Sequence, residues 1–314
     1  MLNVAPLPTG FQVRSATMAD LAAVVRVQNA QEMADFAEPL SNEARLRKTW
    51  QAPDSNLQTD TWVVENPDGQ IVSYAHSHVR PGEDSELRVF AKVWLLPDYQ
   101  RRGIGRHLLH LAEEQARGLV AQDVGVTLAV PWISERNQAA QHLLQRAGYQ
   151  QVLSLTNMKL ALDTPPPAPV WNNEIVVRPF QAGKDEQALY IIDEEISQEE
   201  RGYMPREFDV WQQQNLSDPS LIFLAWEAEQ IVGLVIGGAS NNQGWIWHLG
   251  VRSAWRKQGL GMALLRLEQA EFYRRGLQKM SLNVDTLNPT GAMRLYERVG
   301  MHTHFQYHRY EKKL

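Results

Sequence analysis

Two short segments of the chain combine basic side chains with closely spaced glycines, a pattern suited to binding phosphate groups. Residues 256–261 read Arg-Lys-Gln-Gly-Leu-Gly, and residues 100–105 read Gln-Arg-Arg-Gly-Ile-Gly. Each segment follows a strand-like apolar run and begins a helix-like one. Glycines let the backbone adopt unusual φ values and approach a ligand, and a helix start offers unpaired N–H groups to an anion. The residues therefore predict a diphosphate site at each turn.

Other phosphate-binding motifs fit these segments poorly. The third glycine of a Rossmann GxGxxG motif is replaced by Leu264 in one segment and by Leu108 in the other. The GxxxxGK(S/T) string of a Walker loop does not occur. A turn that merely starts a helix is the simpler alternative, but the basic residues and the recurrence of the whole pattern favour the phosphate site.

The two turns belong to halves that repeat one order of elements. Each half has a β-rich start, a long helix-compatible region, a hairpin, a strand, the turn with its helix, and a last strand–helix–strand run. A Pro-rich segment at 164–173 lies between them and is typical of a polyproline spacer. The length of 314 residues also fits two domains of roughly 150 residues each. We predict an α+β fold with a mixed α/β sheet, present in two domains at residues 1–163 and 174–314.

Composition excludes several classes of function. The chain has 31 basic and 36 acidic residues, and this net charge of -5 argues against a general nucleic-acid binder. The absence of cysteine excludes disulfides, thiolate metal sites and a cysteine nucleophile. No apolar run approaches the roughly 18 residues of a membrane-spanning helix, and no secretory signal pattern is visible. We expect a cytoplasmic protein, a monomer or homodimer, with no metal, membrane or nucleic-acid partner.

A family resemblance rests on two motifs of the second half. Residues 256–263 resemble the Q/R-x-x-G-x-G/A motif of the GNAT superfamily of N-acetyltransferases, and residues 100–105 are similar to it. Residues 288–300 resemble the family's second signature, N…A-x-x-L-Y-x-x-x-G-F. The resemblance covers about 11–162 and 174–314 and implies two tandem GNAT-like acyltransferase domains, a layout similar to that of mycothiol synthase. It also implies acetyl-CoA as co-substrate.

The resemblance assigns a set of residues to the coenzyme. In the second half, backbone groups of Leu249 and Val251 pair with the pantetheine arm, which Asn288 approaches, and the turn around the pyrophosphate comprises Arg256, Lys257, Gln258, Gly259, Leu260, Gly261, Met262 and Ala263. In the first half, the corresponding residues are Val93, Leu95, Gln100, Arg101, Arg102, Gly103, Ile104, Gly105 and Arg106. An alternative role for Asn288 is that of a helix N-cap, and both roles can coexist.

Acetyl transfer from a thioester to an amine needs a proton acceptor and a proton donor. A primary amine with a pKa of about 10.4 is mostly protonated at pH 7, and the departing thiolate leaves more easily when it receives a proton. Tyr296 matches the family tyrosine beside the sulfur, and the alternative is an aromatic residue that only packs. His248, on the strand before the turn, is a candidate base. Glu194 and Glu195, on a predicted helix, are the other candidates.

The first half departs from the second at the position of the acid. Aligning Gly148 with Gly300 puts Leu144 opposite Tyr296, and leucine cannot donate a proton. We therefore predict that the first half is non-catalytic but keeps a turn suited to CoA. The second half would acetylate a small-molecule or peptide amine by direct attack, with the acidic and aromatic region 193–219 forming the acceptor lip. The alternative function is a non-catalytic CoA-binding or interaction protein.

Overall fold

The chain folds into two compact units that are each built on a mixed sheet. In a computed structural model, the described residues are 6–53, 55–81, 86–120, 125–171, 174–240, 242–288 and 291–314. Residues 172–173 of the predicted linker and 289–290 of the second signature lie outside them. Unit 1 consists of Met1–Leu153 with Tyr307–Leu314, and unit 2 consists of Ser154–Gln306. The prediction of a mixed α/β fold present twice is confirmed.

The elements follow the predicted order in both halves. The strands are β1 Gln12–Arg14, β2 Thr61–Glu65, β3 Ile71–Pro81, β4 Leu87–Leu95, β5 Val126–Ser134, β6 Gln150–Ala161, β7 Ile175–Pro179, β8 Ile222–Glu227, β9 Gln230–Ser240, β10 Gln243–Val251, β11 Lys279–Asp285 and β12 His302–Lys313. The α-helices are α1 Leu21–Phe36, α2 Glu43–Trp50, α3 Leu57–Asp60, α4 Ile104–Val120, α5 Gln138–Arg146, α6 Glu186–Ser197, α7 Phe208–Asn215, α8 Leu260–Arg274 and α9 Ala292–Arg298. None of the described helices combines the length and apolar character that crossing a bilayer requires.

Unit 1 has six strands in the order β1-β2-β3-β4-β5-β12. Only β4 and β5 run parallel among the neighbouring pairs described in this unit. Leu21 and Val24 of α1 share an apolar cluster with Tyr74 of β3. Leu109 of α4 shares another with Val89 of β4. Helices α1 and α4 therefore pack on the strands of unit 1 through two separate apolar clusters.

Unit 2 repeats this topology in the order β7-β8-β9-β10-β11-β6, with β10 and β11 as its parallel pair. Adjacent residues of β9 point to different cores, because successive side chains of a strand alternate between its faces. Leu234 lies in the cluster of α6, whereas Val235 lies in the cluster of α8. Helices α6 and α8 therefore cover opposite faces of this sheet.

The division by packing differs from the predicted sequence boundaries at two strands. The last strand of the first half, β6, pairs with β11 and lies in unit 2 from Ser154 onward. The last strand of the chain, β12, pairs with β5 and lies in unit 1 from Tyr307 onward. Each sheet is thus completed by a strand from the other half of the sequence, because strand pairing depends on register and pattern rather than on sequence distance.

A repeated arginine explains the Val-Arg ending of the first strand in each half. Arg14 binds Asp20 at 2.7 Å in unit 1, and Arg178 binds Asp185 at 2.6 Å in unit 2. Both aspartates stand immediately before the first long helix, where a negative charge is favourable. The arginine holds the pKa of each carboxyl below its usual range. The first strand is thereby fixed to the start of the helix that covers the sheet.

Candidate functional site

The two glycine turns share one backbone conformation. In unit 2, a 3-10 turn at Ser253–Trp255 leads to Lys257 with φ 62° and Gly259 with φ 88°. In unit 1, a 3-10 turn at Pro97–Tyr99 leads to Arg101 with φ 61° and Gly103 with φ 89°. Left-handed residues in a tight turn gather backbone N–H groups on one side, which is the geometry of an anion-binding nest. The predicted phosphate-type turn is present in both units.

The start of α8 leaves backbone donors for such an anion. Gly259 is the N-cap and makes no side-chain cap hydrogen bond, and the Ala263 N–H donates to the Gly259 carbonyl at 3.0 Å. The N–H groups of residues 260–262 precede the first intrahelical bond. Lys257, Gln258 and Gly259 are exposed. The turn therefore opens to solvent with its donors available.

Two residues of the turn differ in role from the sequence expectation. Gly261 has an ordinary helical backbone, and a Cβ placed on it would make an ordinary contact of 3.5 Å with Leu295 of α9, so neither backbone conformation nor packing requires glycine there. The Arg256 Nε donates to the Val251 carbonyl at 2.8 Å, and its guanidinium binds Glu199 at 2.6 Å. Arg256 thus fixes the turn to the protein, which leaves Lys257 as the exposed cation at the turn.

The remaining turn residues take ordinary positions. Leu260 and Ala263 are buried and Met262 is half-buried on α8. The Gln258 Nε2 donates to the Ala254 carbonyl at 3.1 Å. Leu260 and Ala263 therefore anchor the helix start in the core, and the exposed part of the turn is 257–259.

The strand before the turn separates from its parallel neighbour. β10 pairs with β11 from Gln243 with Lys279 to Ile246 with Leu282, although both strands continue beyond these residues. Beyond Ile246, no described strand pairs with the edge of β10 that faced β11. This split leads from the phosphate turn into the unit, and Leu249 and Val251 lie along it. A pantetheine arm needs backbone groups along one wall of its site, and the unpaired edge of β10 offers such groups.

A β-bulge reorients the side chains of β10 at the split. The register with β9 shifts between Ile246 and His248, so that Trp247 is an extra residue. Before the bulge, a Cβ placed on Gly244 would collide with Phe272 of α8. After it, a Cβ placed on Gly250 would lie 2.9 Å from Ile196 of α6. The bulge therefore directs His248, which alternates with Gly250, toward α6.

His248 is held by a buried aspartate. Its Nδ1 lies 3.0 Å from an oxygen of Asp193, whose carboxylate also binds Trp211 Nε1 at 2.6 Å and Arg206 at 2.9 Å. Burial by itself would raise the pKa of Asp193, but the charges and hydrogen bonds of these three partners hold it below the usual range. An ionised Asp193 fixes the Nδ1–H tautomer of His248 and leaves Nε2 to accept a proton.

The two glutamates considered as alternative bases are engaged elsewhere. Glu194 accepts hydrogen bonds from the Tyr203 hydroxyl at 2.5 Å and from the Arg206 Nε at 2.8 Å. Glu195 is exposed and binds Arg252 at 2.6 Å. Glu194 therefore fixes the loop after α6, and its oxygens are already in use.

Sequence reasoning did not single out Glu200, whose two neighbours contact residues near the ends of β10 and β11. Its neighbour Glu199 binds Arg256 at the turn after β10, and its other neighbour Arg201 binds Asp285 at the end of β11 with two contacts of 2.6 Å. Glu200 therefore lies between two residues whose side chains are fixed near the ends of the separating strands β10 and β11. The acidic run of the predicted lip includes it, but no periodicity singles it out.

Glu200 is exposed, yet protein surrounds it closely enough to raise the pKa of its carboxyl by desolvation. The charge of His248 opposes this rise. Glu200 in turn acts on the phenol of Tyr296. Glu200 therefore interacts electrostatically with both His248 and Tyr296.

The position of Tyr296 fits the packing role, and its hydroxyl is compatible with the predicted acid role. It is 8% exposed on α9 and belongs to the same apolar cluster as Leu260 and Leu264. Its hydroxyl makes no hydrogen bond within the described part of the chain. Burial, with the charge of Glu200, raises the pKa of Tyr296 above its ordinary value. The ring packs in the core, and the hydroxyl stays protonated at neutral pH and able to donate.

The N-cap interpretation of Asn288 is wrong. Helix α9 begins at Ala292 with Gly291 as N-cap. The Asn288 N–H donates to the carbonyl of Asp285, the last residue of β11, at 3.0 Å. Asn288 therefore follows the strand that forms one side of the split, as a residue near the pantetheine arm would.

Unit 1 has the same split but a different interior. β4 and β5 pair only from Leu87 with Val126 to Phe90 with Ala129, and β3 pairs with β4 without a register shift. The N–H of Leu95, the counterpart of Val251, donates to the Gln31 side chain at 2.5 Å. A backbone donor predicted to face pantetheine is therefore already bonded within the protein.

The position of His248 is taken in unit 1 by Lys92, three residues before Leu95. The Lys92 Nζ lies 5.5 Å from the ring centroid of Trp132, which stacks on Tyr307 at 4.2 Å. Burial, with the positive charge of Arg45, lowers the pKa of Lys92 to about 8.

The acid position of unit 1 is filled by Leu144, which is buried. The side chains of the unit 1 turn differ in exposure. Arg101, Gly103 and Arg106 are exposed, Gln100 is half-buried, Arg102 covers the Tyr99 ring at 4.9 Å, and Val93, Ile104 and Gly105 pack inside. Unit 1 thus keeps the turn and lacks the acid and the histidine.

Comparison with known proteins shows a family match in each half of the chain. The acetyltransferase (GNAT) family matches residues 26–149 and 188–301. A mycothiol acetyltransferase from Geodermatophilus obscurus is 30% identical over 304 residues, covering 91% of this chain and 92% of that relative. One from Thermobispora bispora is 28% identical, covering 90% and 93%.

Solved structures show the same tandem fold. The crystal structure of a GCN5-related N-acetyltransferase from Sphaerobacter thermophilus matches with a TM-score of 0.85 and 31% identity, covering 98% of this chain and 97% of that one. A tandem GNAT protein from the clavulanic acid biosynthesis pathway matches in fold with a TM-score of 0.72 at 16% identity, covering 96% and 98%. Acetyl-CoA is the co-substrate of this family, and no group of three or more candidate metal ligands occurs among the described residues. The chain, an N-acetyltransferase, belongs to the GNAT family.

Proposed function

We propose that unit 2 transfers an acetyl group from acetyl-CoA to a primary amine, and that unit 1 does not catalyse. The supporting observation is that His248 lies on β10 where that strand separates from β11, and that charge interactions join Glu200 to both His248 and Tyr296. The proposal assigns these three residues the roles of proton acceptor, anion and proton donor. No covalent enzyme intermediate is needed.

The turn suits the diphosphate of the coenzyme, and the split suits its pantetheine arm. The N–H groups of residues 260–262 and the Lys257 ammonium would bind the diphosphate, because both present positive charge to the outside of the turn. The open edge of β10 at Leu249 and Val251 would pair with the pantetheine amides. A backbone N–H there would also polarise the thioester carbonyl and stabilise the oxyanion as the amine attacks.

His248 is proposed to take the amine proton. Holding an amine of pKa about 10.4 unprotonated at pH 7 costs about 4.6 kcal/mol, and a positioned base reduces this cost in the transition state. The Nε2 of His248 accepts the proton, and Asp193 stabilises the resulting imidazolium through Nδ1. Asp193 acts here as a positioning residue, since it reaches the reaction only through His248.

Tyr296 is proposed to supply the other proton. The amine nitrogen bonds to the carbonyl carbon, the carbon–sulfur bond breaks with its electron pair on sulfur, and the phenol protonates the thiolate. The raised pKa of Tyr296 keeps the phenol protonated beforehand. The phenolate then regains a proton from solvent or from His248, which returns the site to its starting state.

The acceptor side carries negative charge. Glu200 follows Glu199, which binds Arg256 at the turn, and an exposed carboxylate in this region would attract an ammonium group. The relatives named mycothiol acetyltransferase direct the first acceptor test to a mycothiol-type amine. Other primary amines of similar charge complete the panel.

The test is release of free CoA thiol with this amine panel. We expect turnover by the wild type and a fall in kcat of about 100-fold in Tyr296→Phe, the lower end of the usual acid–base contribution. Tyr273→Phe, a surface change on α8, is the matched control and should keep the wild-type rate. Full activity of Tyr296→Phe would refute the acid role. Coenzyme binding without turnover on any amine would favour the binding-protein alternative.

A further inference from the structure

A cavity adjoins the phosphate turn on the side formed by the Pro-rich segment. It is open to solvent and has a volume of about 670 Å³, and its lining includes Val170, Trp171, Gln258, Gly259, Met262 and Arg266. This volume lies within the range of small-molecule sites. All of these residues belong to unit 2.

The segment predicted to be a spacer forms one wall of this cavity. Trp171 packs against the apolar cluster that contains Leu260, so this end of the segment is fixed on α8. The opposite wall is the exposed face of α8, where Met262 and Arg266 lie one turn apart. The segment therefore has a second role besides separating the two halves of the sequence.

The charge of the cavity is not neutralised by the protein. The Arg266 Nη1 contacts the Gln269 amide oxygen at 3.3 Å, and no carboxylate of the described chain lies within ion-pair distance of it. By contrast, Arg274 and Arg275 on the same helix bind Glu271. A half-buried arginine beside an uncapped helix start favours an anionic ligand.

We propose that this cavity takes the nucleotide end of the coenzyme, with Arg266 binding the 3′-phosphate and the Trp171 indole contacting the adenine. The proposal rests on the proposed function, because a diphosphate held at residues 257–262 places the attached adenosine beside Gly259. From there, the linker and α8 offer an aromatic ring and a free guanidinium, the two groups that a phosphorylated adenosine requires.

Calorimetric titration of the full chain with CoA and with 3′-dephospho-CoA tests the phosphate assignment. The wild type should bind CoA at least tenfold more tightly than the dephosphorylated form. In Arg266→Gln, this ratio should fall below twofold, while the affinity for 3′-dephospho-CoA stays unchanged. Arg274→Gln, an exposed arginine of α8 that is paired with Glu271, is the control and should keep the wild-type ratio.

Trp171→Leu tests the adenine contact with 4′-phosphopantetheine as third ligand. The variant should lose about tenfold in affinity for CoA and for 3′-dephospho-CoA and none for phosphopantetheine, with thermal unfolding measured alongside. Normal CoA binding with an unchanged ratio in Arg266→Gln would overturn this proposal and leave the proposed function standing. Absence of any CoA binding by the wild type would overturn both.

Discussion

The two units of this chain share a fold, a strand order and a turn conformation, and they differ at the places where chemistry would occur. The left-handed residues of the two turns agree within one degree, at φ 61° and 62° and at 89° and 88°. Yet unit 2 has a bulge, His248 on Asp193 and Tyr296, whereas unit 1 has an unbroken register, Lys92 and Leu144. Under the proposed function, the glycine turn that both units retain is not sufficient for catalysis.

The comparison also shows how a slot can close without changing the fold. Both units separate their parallel strands at corresponding points. In unit 1, one glutamine of α1 binds the N–H of Leu95 and thereby occupies a donor that the slot would offer. A single side chain on the covering helix thus alters the slot, while the turn that precedes α4 keeps its shape.

The largest expected difference comes from the left-handed glycines. Gly259→Val in unit 2 should reduce kcat/KM by at least about 100-fold, because a β-branched residue at φ 88° distorts the turn. Gly103→Val imposes the same strain at φ 89° in unit 1 and should leave turnover within about twofold. Both variants should lose about 1–3 kcal/mol of stability, which thermal unfolding checks. Equal loss of activity in both would break the comparison.

The next effect distinguishes His248 in unit 2 from Lys92, the residue at the corresponding position of unit 1. His248→Gln should lower kcat by about 100-fold at saturating coenzyme, because glutamine cannot take the amine proton. Lys92→Gln, the change at the corresponding position of unit 1, should leave kcat within about twofold. A loss in the lysine variant as large as in the histidine variant would mean that unit 1 contributes to turnover.

Much of the fold and part of the site can be predicted from the sequence, because those features depend on local pattern. The glycine spacing predicts the turn, since φ near 90° at Gly259 is a local backbone requirement. The repeated order of elements predicts the paired sheets. Tyr296 is identified because a short helical signature surrounds it.

What the sequence does not predict depends on packing between distant segments. The contacts of His248 with Asp193 and of Arg256 with Glu199 join residues more than fifty positions apart. Glu200 gains its place only because both of its neighbours are fixed to separate strands. The placement of β6 in unit 2 and of β12 in unit 1 likewise follows from strand register. Because the two halves have similar strand patterns, the sequence does not show which half each of these strands pairs with.

A smaller effect concerns the closed slot of unit 1. The wild type should bind one coenzyme per chain in calorimetry, because the Leu95 N–H is engaged by Gln31. Gln31→Ala frees this donor and should add a second site, at least about tenfold weaker than the first. Gln31→Glu keeps an acceptor for the N–H and should retain a single site. Two sites in the wild type would show that the glutamine does not close the slot.

The smallest effect is the pH dependence of unit 1 stability at Lys92. Its pKa is lowered from 10.5 to about 8, so between pH 8 and 10.5 the unfolded chain binds more protons than the folded one. The contribution of Lys92 to the free energy of unfolding therefore rises with pH across that window. Below pH 8, the full cost of burying the charged ammonium applies. Lys92→Met should add about 1 kcal/mol at pH 7, the burial cost less the cation–π contact with Trp132.

Denaturant unfolding of Lys92→Met and of the wild type at pH 7 and pH 10 measures this difference, with Lys313→Met, an exposed lysine of β12, as control. The advantage of the variant should shrink toward pH 10, whereas the control should show none at either pH. An advantage that is constant with pH would assign the effect to packing of the methionine rather than to the charge. The charge of Lys92 would then not distinguish it from His248. The difference between the two units would depend instead on Leu144 and Gln31.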